Sequence, residues 1–375
     1  MMILPGATLG MLGGGQLGRM FTIAARTMGY RVVVLDPDAD SPAGRFADEH
    51  LHAAYTDTWA LDELAGACAV VTTEFENIPA ATLRRLATTC PVRPSADAVE
   101  TTQNRIREKR FIQSMGLPTS PFAVIESTHD LAAAAAAVVF PAILKRAELG
   151  YDGKGQIVVT DARELPLAFT RLGEIPCVLE HKIDLVREIS VVLARGVTGE
   201  TRCYPVGENV HRDGILYRTQ VPADIDPALA AAAIAAAERI ASGLAYCGVM
   251  AVEFFISRGG ELLVNEIAPR PHNSGHYTLD ACISSQFEQQ VRMICGLPFG
   301  DTRLLSPVAM VNLLGDLWRD GAPRWDRLLA DPGAKLHLYG KLLARPGRKM
   351  GHFCLLRPTR EGLDAAADVL FAQLR

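Results

Sequence analysis

What this chain lacks narrows the field first. Its eight cysteines (68, 90, 177, 203, 247, 282, 295 and 354) are scattered and never form a C-x-x-C pair. With no secretory signal, they read as reduced, mostly buried thiols of a cytoplasmic protein. Every apolar run is broken by Gly, Arg or Asp before it reaches membrane-spanning length, so no membrane partner is expected. An excess of positive charge is also missing. Lys and Arg total 38 against 42 Asp and Glu, a net charge of -4 that gives no electrostatic case for nucleic acid. There is no internal repeat, and the Walker A pattern G-x-x-x-x-G-K-[ST] is absent. The remainder is ordinary: 49% hydrophobic and 21% charged residues, the profile of a globular protein. At 375 residues it should hold about two to three domains with sizeable cores.

The richest stretch is VEFFISRGGELLVNEIAPRPHNSGH, residues 252–276. Two strand-like runs flank Ser257-Arg258-Gly259-Gly260, and each carries glutamate within apolar sequence. A hairpin closing across Ser257 and Gly260 sets Glu253 opposite Val264, with Glu266 diagonally placed on the same face. Two carboxylates on one strand face repel unless a cation lies between them, and oxygen ligands suit Mg²⁺ shared with phosphates. The alternative is a solvated hairpin face. The polar residues that follow, Arg270, His272, Asn273, Ser274 and His276, favour a site.

Along the chain, residues 7–12 and 31–36 read as strands around a helix carrying Leu17, Met20, Phe21, Ala24 and Met28 at helical spacing. This is a βαβ unit, implying a parallel sheet. Residues 68–75 form a later strand, and one long helical pattern runs from Ser95 to Gly116. Strands are expected at 141–147, 156–160, 177–183 and 188–194, and an Ala-rich helix from Pro227 to Leu244. From about Ser306 the chain is too short to hold its own core and should pack on what precedes it. The fold class is α/β, with an α+β central part.

Two glycine loops bear on phosphate. Gly13, Gly15 and Gly18 spell G-x-G-x-x-G between a strand and a helix, with Asp36 ending the next strand. This fits a nicotinamide or flavin site; it fits equally a helix N-terminus that meets another anion or merely packs tightly. The second loop, LGYDGKGQ at 149–156, lies between strands, with Lys145 before it and Lys154 at its tip. Its amides and lysines suit a transferred phosphoryl group. Such turns are often plain hairpins; the downstream glutamate pair gives this one weight. Glu180, ending a strand, suits ribose hydroxyls, while His211 is equally a surface-turn histidine.

The segments GGGQLGRM, TTEFENIP, LKRAELGYDGKGQ, LEHKI, VEFF…LLVNEIAPRPHNSGH and RPGRKMGH, in this order, closely resemble the N5-carboxyaminoimidazole ribonucleotide synthetase family, the ATP-grasp carboxylases of purine biosynthesis. The resemblance spans nearly the whole chain. It implies a Rossmann-like domain at 1–112, an ATP-grasp domain at 113–305 and a small C-terminal domain at 306–375 that completes the substrate site. It also implies a homodimer, with ATP, bicarbonate and 5-aminoimidazole ribonucleotide as substrates and Mg²⁺ or Mn²⁺ as the metal.

Carried over by position, the family's ATP contacts fall on Arg105, Lys145, Gly150, Tyr151, Asp152, Gly153, Lys154, Gly155, Gln156, Glu180, His181, Lys182, Ile183, Glu188, His211, Asn265 and Glu266. Glu253 and Glu266 hold the metal. The catalytic set implied is Arg270, Asp152, Lys145 and Lys154. The ribonucleotide falls to Gly15, Gln16, Leu17, Glu76, Tyr151, Asp152, Arg270, His272, Asn273, Ser274, Lys341, Arg348 and Lys349, which moves the first glycine loop from dinucleotide to substrate. One departure stands out: many ATP-grasp proteins carry Asn two residues after the second metal glutamate, where this chain has Ala268, leaving Asn265 as the compensating candidate. The competing readings are a formate-using ATP-grasp ligase and, in a different class, a dinucleotide oxidoreductase.

Overall fold

The structure, a computed structural model, describes residues 2–148, 150 and 155–375. Its first sheet is parallel, in the order β3-β2-β1-β4. The strands are β1 (Thr8–Leu12), β2 (Arg31–Leu35), β3 (Glu49–Leu51) and β4 (Val70–Thr73). Strands β1, β2 and β4 are almost wholly buried, so both faces must be covered by helices. On one face lies α1 (Gln16–Thr27), where Leu17 and Phe21 meet Phe287, Val291 and Ile294 from much later in the chain. On the other face lie α2 (Thr58–Ala67) and α3 (Ala80–Leu86).

The long helix expected from Ser95 is two helices, α4 (Ala96–Gln103) and α5 (Arg105–Ser114). Asn104 between them is extended (φ -123°, ψ 116°), and its side chain accepts from the amides of Ile106 and Arg107. Hydrophobic spacing runs through such a break unchanged, because only the capping geometry reveals it. A second, antiparallel sheet follows: β5 (Phe122–Ile125), β6 (Ala142–Arg146), β7 (Gln156–Val159) and β8 (Cys177–His181), in the order β5-β8-β6-β7. It is backed by α6 (Leu131–Ala137) and α7 (Leu165–Arg171).

The third sheet runs β14-β13-β9-β11-β12-β15-β17-β16, with β10 beside β9. Its strands are β9 (Leu185–Arg195), β10 (Thr201–Cys203), β11 (Gly207–Arg212), β12 (Ile215–Val221), β13 (Gly248–Ser257), β14 (Leu262–Ala268), β15 (Val308–Leu314), β16 (Ala334–Leu338) and β17 (Lys349–Leu356). The Ala-rich helix is α8 (Pro227–Gly243); its small side chains let it lie close on Ile189, Val191 and Met250. Short α9 (Thr278–Ala281) leads to α10 (Gln286–Ile294), the helix that meets α1. The last third of the sheet belongs to the end of the chain. Strand β15 pairs directly with β12, and α11 (Trp325–Leu329) and α12 (Leu363–Ala372) close a core that also takes Tyr217. Strand β17, within and beyond RPGRKMGH, was not anticipated as a strand. Among the described residues no helix is long and apolar enough to cross a membrane.

Candidate active site

The glutamate hairpin forms, but in a different register from the one expected. Ser257 N–H donates to Glu261 O at 3.0 Å, Gly260 N–H closes the turn onto Ser257 O at 2.9 Å, and Phe254 pairs with Val264. A bulge then takes up Asn265, so Glu253 stands directly opposite Glu266. Bulges re-aim side chains in this way, and simple alternation cannot foresee them. Burial, and then the facing Glu266, pushes the Glu253 carboxyl up to about 7. The Oδ1 atom of Asn265 is buried without a hydrogen-bond partner. Two opposed carboxylates and an orphaned amide oxygen fit a hard divalent cation. Among the described residues no three His, Cys, Asp or Glu side chains converge as a metal cage, so the remaining ligands of such an ion would be phosphate and water oxygens.

A positive cradle lies beside this pair. Arg105, first residue of α5, reaches Glu266 Oε2 at 3.2 Å. Lys145 on β6 and Lys109 on α5 converge on Glu180 Oε2 at 3.1 and 3.3 Å. Burial alone would raise Glu180; Lys145, Lys109 and Arg105 overrule it and hold the carboxyl at about 2. Lys145 answers differently, since burial wins and lowers its ammonium. Glu180 Oε1 and Lys109 Nζ are buried with hydrogen-bonding capacity unspent. A ligand with both donors and acceptors would use them.

The loop between β6 and β7 contains Tyr151, Asp152, Gly153 and Lys154, which lie outside the described residues. Its flanks are in place: Arg146 donates its amide to Gly155 O at 2.9 Å, Gln156 pairs with Lys145, and Gly155 takes the left-handed φ of 73°. Gly150 precedes it. In the hinge from β8 to β9, His181 is tied through Nδ1 to Val139 O at 2.8 Å and Lys182 is exposed. Ile183 and His181 line a hollow of about 470 Å³. His211 is no surface-turn histidine. Its Nδ1 lies 2.6 Å from Glu188 Oε2, and this carboxylate with Glu253 outweighs burial and raises its pKa.

Downstream of β14, Arg270 grips Glu76 through Nε (2.5 Å) and Nη2 (3.3 Å). This joins the end of the first sheet to the end of the carboxylate hairpin, and Arg270 keeps Glu76 ionised despite its burial. His272, Asn273, Ser274 and His276 are buried. Their polar atoms face protein: Asn273 exchanges amide hydrogen bonds with Asn312 (3.0 and 2.6 Å), and Ser274 Oγ meets Ser190 Oγ and His272 Nδ1, each at 2.8 Å.

The first glycine loop is already occupied by the chain's own carboxylates. Glu74, just past β4, accepts from the amides of Gly15 (2.5 Å) and Gly18 (2.6 Å), and Asp36 accepts from Gly14 (2.6 Å) and from Tyr55 Oη (2.6 Å). At Gly13 (φ 104°) a Cβ would lie 2.4 Å from the Glu74 side chain, so no larger residue fits. The N-terminus of α1 therefore carries its anion within the protein. Gly14, Gly15, Gln16, Asp36, Ser41, Tyr55 and Glu74 line one side of a hollow of about 290 Å³, and Lys341 and Arg348 line the other. Leu17 is buried in the helix behind it. Lys341 Nζ donates to Lys349 O at 2.8 Å, and Lys349 starts β17.

Sequence reading missed Glu74, Lys109, Glu108 and Asn312. Lys109 follows Arg105 at i+4, a spacing that sets both on one helix face. Asn312 is the one polar residue in VAMVNLL, itself a signal. Glu108 accepts from the Ile267 amide at 2.6 Å, and burial pushes it up to about 8; nothing in the sequence around it points there.

Comparison with known proteins places these features in company. Residues 110–287 match the ATP-grasp domain, 6–103 the ribonucleotide synthetase preATP-grasp domain and 308–366 the phosphoribosylaminoimidazole carboxylase C-terminal domain. The N5-carboxyaminoimidazole ribonucleotide synthase of Brucella melitensis biotype 1 is 44% identical over 356 residues, covering 94% of this chain and 97% of that protein. A solved N5-carboxyaminoimidazole ribonucleotide synthetase in complex with ADP superposes with a TM-score of 0.93 at 43% identity, over 99% of this chain and 97% of the other. The Aspergillus clavatus N5-carboxyaminoimidazole synthase, solved with ADP and 5-aminoimidazole ribonucleotide, gives 0.90 at 30% identity over 98% of both chains.

Proposed function

We infer the reaction from one premise: the chain belongs to the N5-carboxyaminoimidazole ribonucleotide synthase family. It is an ATP-dependent carbon–nitrogen ligase of purine biosynthesis. ATP and bicarbonate give carboxyphosphate and ADP. The exocyclic amine of 5-aminoimidazole ribonucleotide then forms a bond to the carboxyl carbon, phosphate leaves, and the amine loses a proton. The observation that carries this reading is the facing pair Glu253 and Glu266 beside the Arg105, Lys109 and Lys145 cradle.

The residues divide the work. Glu180, with its unspent oxygen, and the hinge through Ile183 take the adenosine end of ATP. Lys145 and Arg105 meet its phosphates, where fixed positive charge stabilises the transferring phosphoryl group. Glu253, Glu266 and Asn265 would hold Mg²⁺ or Mn²⁺, which supplies further charge neutralisation on those phosphates. Arg270, braced by Glu76, presents its remaining guanidinium hydrogens to bicarbonate. Lys341 and Arg348 face the glycine-loop wall and take the 5′-phosphate of the ribonucleotide. We assign Tyr151, Asp152 and Lys154, which lie outside the described residues, to the reacting groups, as the family resemblance implies.

The test is ADP release from Mg-ATP and bicarbonate, with and without 5-aminoimidazole ribonucleotide. Strong stimulation by the ribonucleotide is expected. A folded sample that binds ATP yet shows no stimulation would overturn the acceptor assignment.

A further inference from the structure

We propose that Ser274, backed by Ser190, is a positioning residue that fixes the tautomer of His272 and through it the orientation of Glu253. This deepens the proposed function and rests on it for the role of Glu253. It also replaces the expectation that the Ser274 side chain contacts the ribonucleotide.

The argument turns on which atoms can donate. The backbone N–H of Ser274 points at His272 Nδ1 at 3.3 Å, and an amide N–H cannot accept. Nδ1 must therefore be the acceptor of the ring. Ser274 Oγ lies 2.8 Å from the same nitrogen, so its hydroxyl also donates there, and its lone pair accepts from Ser190 Oγ at 2.8 Å. With Nδ1 accepting twice, the proton of the neutral ring sits on Nε2. That nitrogen faces Glu253 Oε1 at 3.4 Å. The N–H, not the lone pair, thus lies on the Glu253 side, at ion-pair distance and outside hydrogen-bond geometry.

The backing is built into the sheet. Ser190 on β9 stands directly opposite Glu253 on β13, and Glu253 stands opposite Glu266 on β14. The path from Ser190 through Ser274 and His272 returns to the strand position where it began. Ser274 is fully buried and Ser190 is 2% exposed. The Ser274 hydroxyl has its one proton committed and no open side for substrate. The opposite tautomer would set the Nε2 lone pair, not a proton, toward the Glu253 oxygen. Residues that orient a ligating carboxylate in this way matter almost as much as the ligand itself.

The decisive measurement is ¹⁵N NMR of histidine-labelled, metal-free protein, with the His272 signals assigned by His272→Gln. The expected spectrum shows His272 protonated on Nε2 in the wild type and a loss of that single form in Ser274→Ala. In steady-state assays S274A should lower kcat/KM for Mg-ATP about tenfold, with the ribonucleotide KM changed by less than about twofold. Ser190→Ala, which leaves the Ser274 hydroxyl in place, should give the same split at smaller amplitude. A wild-type His272 protonated on Nδ1 would sink the proposal, as would an S274A or S190A effect confined to the ribonucleotide KM. Should S274A not fold, the wild-type spectrum and S190A still decide. If the wild type showed no ribonucleotide-stimulated turnover, the acceptor assignment would fall while the spectrum still settled the tautomer.

Discussion

Glu180 carries two ammonium groups on one carboxylate oxygen while only 2% exposed. A buried acid survives ionised only when paired this closely, and removing one partner strands the others. Glu180→Gln is therefore expected to cost about 3–5 kcal/mol of stability and to abolish tight ATP binding, read from a denaturation midpoint and from titration. The pH dependence follows from the same pairing. The folded carboxyl sits at about 2, below its unfolded value near 4.3, so its contribution is present above the unfolded value. It is lost as pH falls from about 4.3 towards 2, and E180Q should flatten that part of the acid limb. At this scale the sequence was partly legible. Glu180, Lys145 and Glu266 stand out because a charge in an apolar strand needs a reason. Lys109 and Glu108 sit in a helix full of charge, where the buried ones look no different from the solvated ones.

Among elements, the break at Asn104 shows what periodicity hides. The apolar spacing of 95–116 runs on as though one helix were present, yet the extended backbone at Asn104 ends α4 and its side chain caps α5. The cap sets the direction of the first turn of α5 and so delivers Arg105 to Glu266. Asn104→Ala should lose about 1 kcal/mol and raise the KM for ATP, with little change in that for the ribonucleotide. The hairpin of β13 and β14 teaches the same lesson. Its existence and its two glutamates were readable, but the bulge at Asn265 was not. Bulges are set by backbone geometry and by neighbouring strands, here β9. The bulge improved the expected geometry, turning a diagonal pair of carboxylates into a facing one.

For the whole molecule, the ends of the chain meet across one hollow. Its glycine-loop wall comes from residues 14–16, and its basic wall from Lys341 and Arg348 in the connection from β16 to β17. Strand β15 extends the central sheet from β12, so the basic wall is held by continuous backbone pairing. Lys341→Ala should raise the ribonucleotide KM about tenfold, the size of one charge-assisted contact, and leave the KM for ATP unchanged in the same assay. The alternating elements of the first part were legible because each covers a full apolar face. The last part was legible as packing on what precedes it, which β15 does against β12, but not as holding a core of its own, which it does around Val311, Phe353, Leu363 and Leu370. Strand β17 was obscured by the basic residues at its start, which belong to the hollow rather than to the sheet.

Glu74 gives the α1 helix a tethered counterion. A mobile phosphate must be bound anew in each molecule and competes with every anion in solution, whereas the Glu74 carboxyl is tethered at the end of β4 and cannot wash out, even though burial raises its pKa against the pull of the Gly18 and Gly15 amides. The glycine fingerprint here thus describes a shape without a vacancy. Whether such a loop receives a nucleotide is decided outside the motif, by the acid 56 and 59 positions further on that reaches back to its amides.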